Sequence, residues 1–208
     1  MVAPIHECLE DELEADRKTV GRIPDVLEQT EWQYNFTHHP LRHAQDDARP
    51  VYPIALYADG VRYTRAGQLG KIDSLINFTI HNLASGRRHL ISVVAKRELC
   101  KCGCRGWCSM YVLMHFFKHC LVACAHGIRP NRRYDGGPLP DGHPNLELGN
   151  QRMAARYLLV EIKGDWMEHC STFGFMNWAA VHRPCVFCSC KKSELAWILR
   201  FAAGPTPS

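Results

Sequence analysis

Between residues 51 and 97 the apolar positions fall into three short runs. Val51 to Ala58 is apolar throughout and is followed by Asp59-Gly60, a turn-favouring pair, so it reads as a buried strand with a turn behind it. After a polar stretch from Arg62 to Asp73, Ser74 to Leu83 is rich in Ile, Phe and Thr and reads as a second strand. Ala84-Ser85-Gly86 has hairpin-turn chemistry, and Arg88 to Arg97 reads as a third strand. Three strands joined in this way predict an antiparallel meander.

The period then changes. From Met110 to His126 the apolar residues Val112, Leu113, Phe116, Phe117, Leu121 and Val122 recur at helical spacing, and Gly127 follows where a helix stops. Residues 128–150 are rich in Pro, Gly, Asn and Asp and read as a loop. Arg156 to Lys163 is a fourth strand running into Gly164-Asp165. A strand reached through a crossover helix usually lies parallel to a neighbour. The fold class is therefore α/β, with a mixed sheet of an antiparallel three-strand meander and a fourth strand parallel to the first. Ahead of this core, residues 1–50 read as an acidic helix (Ile5 to Ala15) followed by an extended arm; the core spans 51–203, with a terminal helix from Ser193 to Phe201, and 204–208 is a tail.

Composition narrows the class only a little. The 208 residues are 46% hydrophobic and 22% charged, as in an ordinary globular protein, and the formal net charge is +4. That excess permits a nucleic-acid partner without demanding one. Its short basic clusters are Arg87-Arg88, Lys96-Arg97 and Arg129 to Arg133, and Arg87, Arg88, Arg129, Arg132 and Arg133 are the candidate phosphate contacts beside the plainer reading of solvated loop charge. No run reaches the roughly 18–20 apolar residues of a membrane span. The acidic start (Glu7, Glu10, Asp11, Glu12, Glu14) has the wrong sign for a secretory signal. An intracellular protein is expected, and its 11 cysteines should then be buried thiols or metal ligands rather than disulfides.

Four of those cysteines, Cys100, Cys102, Cys104 and Cys108, share the run CKCGCRGWC. Zinc takes four tetrahedral ligands and favours thiolates, so this loop is a candidate structural zinc site. The spacing lacks a C-x2-C pair, which leaves open whether all four join or a ligand from elsewhere replaces one. Cys185 and Cys188 do form a C-x2-C step, with Cys190 behind and His182 ahead, and make a second candidate. Cys120 and Cys124, one helical turn apart, read as core packing with the option of donating a ligand; Cys8 and Cys170 read as inert. Asp59 and Asp165 each follow an apolar strand and adjoin a glycine. As single residues they are ordinary turn or helix-cap aspartates. If strands one and four are parallel neighbours, about 4.8 Å apart, the pair could instead bridge Mg²⁺ or Mn²⁺ ions for phosphodiester chemistry.

In order along the chain, Ile162-Lys163-Gly164-Asp165-Trp166, Phe173-Gly174-Phe175-Met176-Asn177-Trp178 and Pro184-Cys185-Val186-Phe187-Cys188 resemble a segment of CACTA-type transposases, and Ile54 to Gly60 resembles the strand that bears that family's first catalytic Asp. The resemblance covers residues 51 to 190 or so. It implies a ribonuclease-H-like fold in which three acidic residues hold two Mg²⁺ or Mn²⁺ ions, with Asp59 and Asp165 as the first two catalytic carboxylates. It further implies hydrolysis of DNA phosphodiesters, transfer of the freed 3′-hydroxyl to target DNA, and a nuclear location. This chain departs from the pattern: its cysteine pair lacks the family's Pro, and the third acid is expected downstream of residue 208. Glu194 follows the pair almost at once and is a poor substitute. The expectation is thus an incomplete or inactive transposase core. The competing expectation is a zinc-stabilised nucleic-acid or protein binding module without catalysis. A zinc hydrolase is a distant third, because neither His-Glu-x-x-His nor His-x-Glu occurs.

Overall fold

A computed structural model describes residues 2–15, 32–43, 48–62, 74–104, 106–143 and 145–164. By contacts the chain divides between Lys163 and Gly164. Asp165, Cys185, Cys188, Cys190 and Glu194, with the elements expected after residue 164, lie outside the described residues.

The described elements are α1 (Ile5–Ala15), α2 (Gln33–Thr37), β1 (Val51–Arg62), β2 (Ser74–Asn82), β3 (Arg88–Ala95), a short 3₁₀ turn at Lys96–Glu98, α3 (Trp107–His126), α4 (Asn145–Leu148) and β4 (Arg156–Lys163). Four strands form one sheet in the order β3-β2-β1-β4. β2 is antiparallel to β1 and to β3, whereas β4 runs parallel to β1, as the crossover through α3 requires. Two strand ends differ from expectation by more than one residue: β3 stops at Ala95 rather than Arg97, where the 3₁₀ turn begins, and β1 runs on past its expected end. Asp59-Gly60 is not a turn: β1 continues through it to Arg62, with Asp59 opposite Asn77 and Val61 opposite Leu75. Pairing with β2 overrides the local preference of the dipeptide.

Both faces of the sheet are covered. On one, Tyr52 and Tyr157 pack with ring centroids 5.7 Å apart and Phe78 meets Phe117 of α3 at 5.2 Å. Successive residues of a strand alternate faces, and Ala55 and Leu158 accordingly pack on the other side with Trp32, Phe36 and Leu83. α2, which the sequence pattern did not announce, supplies Phe36 to that second layer.

The N-terminal helix is part of the core. Ile5 and Leu9 are fully buried, Ala3 N–H donates to the Ile91 carbonyl at 2.8 Å, and the Tyr157 hydroxyl donates to the Leu9 carbonyl at 3.0 Å. Its acidic residues are anchors. Glu7 accepts from Asn145 Nδ2 at 3.0 Å, and Glu10 takes a two-point ion pair from Arg129 at 2.8 and 2.9 Å. Buried Glu12 accepts from Asn82 Nδ2 at 3.0 Å and contacts His89 Nε2 at 2.6 Å.

α3 begins three residues before the expected Met110 and ends where expected. Gly127, at φ 62°, closes it, and a Cβ there would lie 2.8 Å from Arg156 Cγ. Arg156, 1% exposed, donates from Nε to the Ala125 carbonyl at 2.9 Å, placing a cation at the negative end of the helix. Contrary to the composition-based expectation, α3 is long and apolar enough to cross a membrane, with a mean hydropathy of 1.3 over its 18-residue window. In the fold it buries Met110, Phe117, Cys120, Ala123 and Cys124.

Candidate metal centre

The loop between β3 and α3 gathers all four of its cysteines. The Sγ atoms of Cys100, Cys102, Cys104 and Cys108 lie within 4.8 Å of one another, and Cys102 and Cys108 are 3.7 Å apart. A tetrahedron with Zn–S bonds of about 2.3 Å has S···S edges of about 3.8 Å, so the cluster has the dimensions of a tetrathiolate site and could hold a metal such as zinc. Among the described residues it is the group of cysteine, histidine and acidic side chains that meets this test. All four loop cysteines are close enough to act together, so the loop could supply a full set of four thiolate ligands by itself.

Local backbone chemistry explains the convergence. Gly103 and Gly106 adopt φ values of 96° and 89°, a left-handed region that other residues enter at a cost. At Gly106 a Cβ would also approach Leu99 Cδ1 to 3.0 Å, so a larger residue there would have to push the Leu99 side chain aside as well as adopt the positive φ. Ser109 Oγ accepts the Cys100 N–H at 3.0 Å and pins the start of the loop to the first turn of α3. That turn carries Cys108, whose N–H points to Cys104 Sγ at 3.4 Å.

The same hydrogen bond is the chief cause of a Cys104 thiol pulled down to about 6, with help from Cys102. Cys108 is pushed up to about 12, first by its sulfur contact with Cys104. A thiol held down in this way gives up its proton more readily to an arriving cation. Cys120 and Cys124 play no part in this centre. Both are fully buried, and burial raises both thiols, as expected for packing residues.

The other candidates are dispersed. Asp59 is half-buried on β1, on the Ala55 side of the strand by alternation and away from α3. Arg87 and Arg88 sit at the exposed β2–β3 hairpin. Arg129 is engaged by Glu10, Arg133 pairs with Asp135 at 2.6 Å, and Arg132 reaches the Gly136 carbonyl at 3.3 Å, so these three help to fix the segment after α3.

The described part of the molecule is thus an α/β protein with a four-strand mixed sheet and a surface tetracysteine cluster. Comparison with protein-family models, with curated proteins and with solved structures finds no match.

Proposed function

We propose that this chain is a DNA-processing core of the ribonuclease-H-like class, similar to CACTA-type transposases. Asp59 and Asp165 hold Mg²⁺ or Mn²⁺, and the Cys100–Cys108 loop holds a structural zinc. The observation that carries the reading is the place of Asp59. It lies towards the C-terminal end of β1, the strand with an antiparallel neighbour on one side and a parallel one on the other.

The reaction would be attack of water on a DNA phosphodiester, releasing a 3′-hydroxyl and leaving a 5′-phosphate. That hydroxyl then attacks a target phosphodiester and displaces a new 3′-hydroxyl. Hard divalent ions, when bound, supply charge neutralisation at the phosphate. The carboxylates would keep those ions in place, and a zinc held by the four cysteines would tie the chain after β3 to the first turn of α3. DNA is then the partner and the nucleus the location.

The test is nicking of supercoiled plasmid in Mn²⁺, with Asp59→Asn and Asp165→Asn as controls. With only two of the three acids that the resemblance implies assigned, slow nicking at most is expected, and both substitutions should abolish it. Nicking that persists in Asp59→Asn contradicts the assignment.

The cysteine cluster itself favours a second reading, a zinc-stabilised binding module without catalysis, because a closed four-thiolate shell leaves no open position for water. It expects DNA binding through the arginine clusters that weakens steeply with salt and is indifferent to Asp59→Asn. Plasmid binding without any metal-dependent nicking selects it.

A further inference from the structure

Between α1, the middle of α3 and the segment that follows it lies a cavity of about 270 Å³. Pro4, Phe116, Pro130, Tyr134 and Pro140 give it flat, apolar walls. Tyr134 stands edge-on to Phe116 with centroids 5.8 Å apart. A tight turn holds it there: Arg133 N–H donates to the Gly137 carbonyl and Gly136 N–H to the Arg133 carbonyl, each at 2.9 Å. Ligand pockets commonly run from about 300 to 1,000 Å³, so this one suits a single ring system.

One polar group in the wall is without a protein partner. His6 is 4% exposed, and neither Nδ1 nor Nε2 makes a hydrogen bond. Glu7 Oε1 lies 3.8 Å from Nε2, too far to accept, and takes its hydrogen bond from Asn145 instead. A neutral imidazole carries one donor and one acceptor, and buried polar atoms are rarely left unmatched. Burial, with His119 and Arg129 nearby, pushes the ring's pKa down to about 4, so His6 offers a donor and an acceptor but no charge. Arg132 and Arg133 also line the cavity, and both are exposed; Asp135 pairs with Arg133 at 2.6 Å, so Arg132 is the better placed of the two to meet an anion.

We propose that this cavity takes a nucleotide, with the base ring against Phe116, Tyr134 and the prolines, one base edge hydrogen-bonded to His6, and the phosphate towards Arg132 and Arg133. An apolar slot with a single neutral donor–acceptor group selects an uncharged heterocycle, and cations at its mouth select an attached anion. A free mononucleotide and one unstacked nucleotide of a DNA strand share this chemistry. The cavity lies on the α1 and α3 side of the sheet, away from Asp59, so it does not depend on the function proposed above.

The experiment is isothermal titration of the full chain with AMP, GMP, CMP and TMP, adenosine, inorganic phosphate and a short single-stranded oligonucleotide. Saturable mononucleotide binding is expected, weaker by about tenfold for adenosine. His6→Phe, which keeps a ring but removes both nitrogens, should weaken AMP and adenosine alike. Arg132→Gln should weaken AMP and spare adenosine. Tyr134→Ala, on an exposed turn, serves where His6→Phe disturbs folding, and should weaken every base-bearing probe. Tighter binding of the oligonucleotide than of AMP assigns the site to a DNA strand, and the reverse order assigns it to free nucleotide. Absence of saturable binding by all nucleotides and the oligonucleotide overturns the proposal. So does AMP binding that His6→Phe and Tyr134→Ala leave unchanged, or phosphate that competes as well as AMP does.

Discussion

His6 makes a quantitative prediction about acid stability. In the unfolded chain its imidazole takes up a proton as pH falls through 6.5; in the folded protein burial delays that to about 4. Between these values the unfolded state binds more protons, so stability falls as pH falls. The contribution is intact above about pH 6.5. It is lost progressively below that, amounting to about 2 kcal/mol by pH 5 and about 3 kcal/mol once pH is below both values. Urea denaturation at pH 8 and pH 5 reads this directly. At a slope of about 2 kcal/mol per molar urea, His6 alone should lower the native midpoint by about 1 M. Carboxylates and metal-site thiols also respond to acid, but they are common to the native protein and His6→Phe. The difference between the two chains therefore isolates His6. Equal midpoint losses in both would refute the account of a buried, neutral His6.

Other perturbations probe other layers. Glu12→Ala leaves Asn82 and His89 without their buried acceptor and should cost about 1–3 kcal/mol by thermal or urea unfolding; an unchanged midpoint would show that the Glu12 contacts contribute nothing. Phe117→Ala removes a ring 1% exposed and its contact with Phe78, with an expected loss of about 3–5 kcal/mol by the same assays. Cys108→Ser should lower the zinc content by about one equivalent per chain and remove the tetrahedral thiolate absorption of the cobalt-substituted protein; unchanged spectra would exclude Cys108 as a ligand.

The sheet was largely legible in the sequence because each strand carries its own signal. Runs of Ile, Val, Phe and Thr mark β2 and β3, and a helical apolar pattern closed by Gly127 marks α3. The parallel pairing of β4 followed from the crossover alone. What failed was local reasoning where tertiary pairing decides. Asp59-Gly60 looks like a turn but is held in the ladder opposite Asn77 and Ile76. The five-residue α2 has too few residues to show a period, and Phe36 is buried only because β1 and β4 present Ala55 and Leu158 to it. The cysteine run pointed to the cluster that could hold a metal, yet its spacing did not say whether all four sulfurs would meet. The positive-φ glycines at 103 and 106 close it, and φ is not readable from residue type. His6 and the cavity it lines gave no signal, since they join α1 to residues more than a hundred positions away.

The central claim, that Asp59 holds a divalent ion for DNA chemistry, is tested most directly by adding Mn²⁺ to isotope-labelled protein and mapping paramagnetic broadening of its amide signals. Broadening centred on Ala58, Asp59 and Gly60 in the native chain, and absent in a folded Asp59→Asn variant, is the predicted result. Broadening centred elsewhere, or identical in the two proteins, contradicts it.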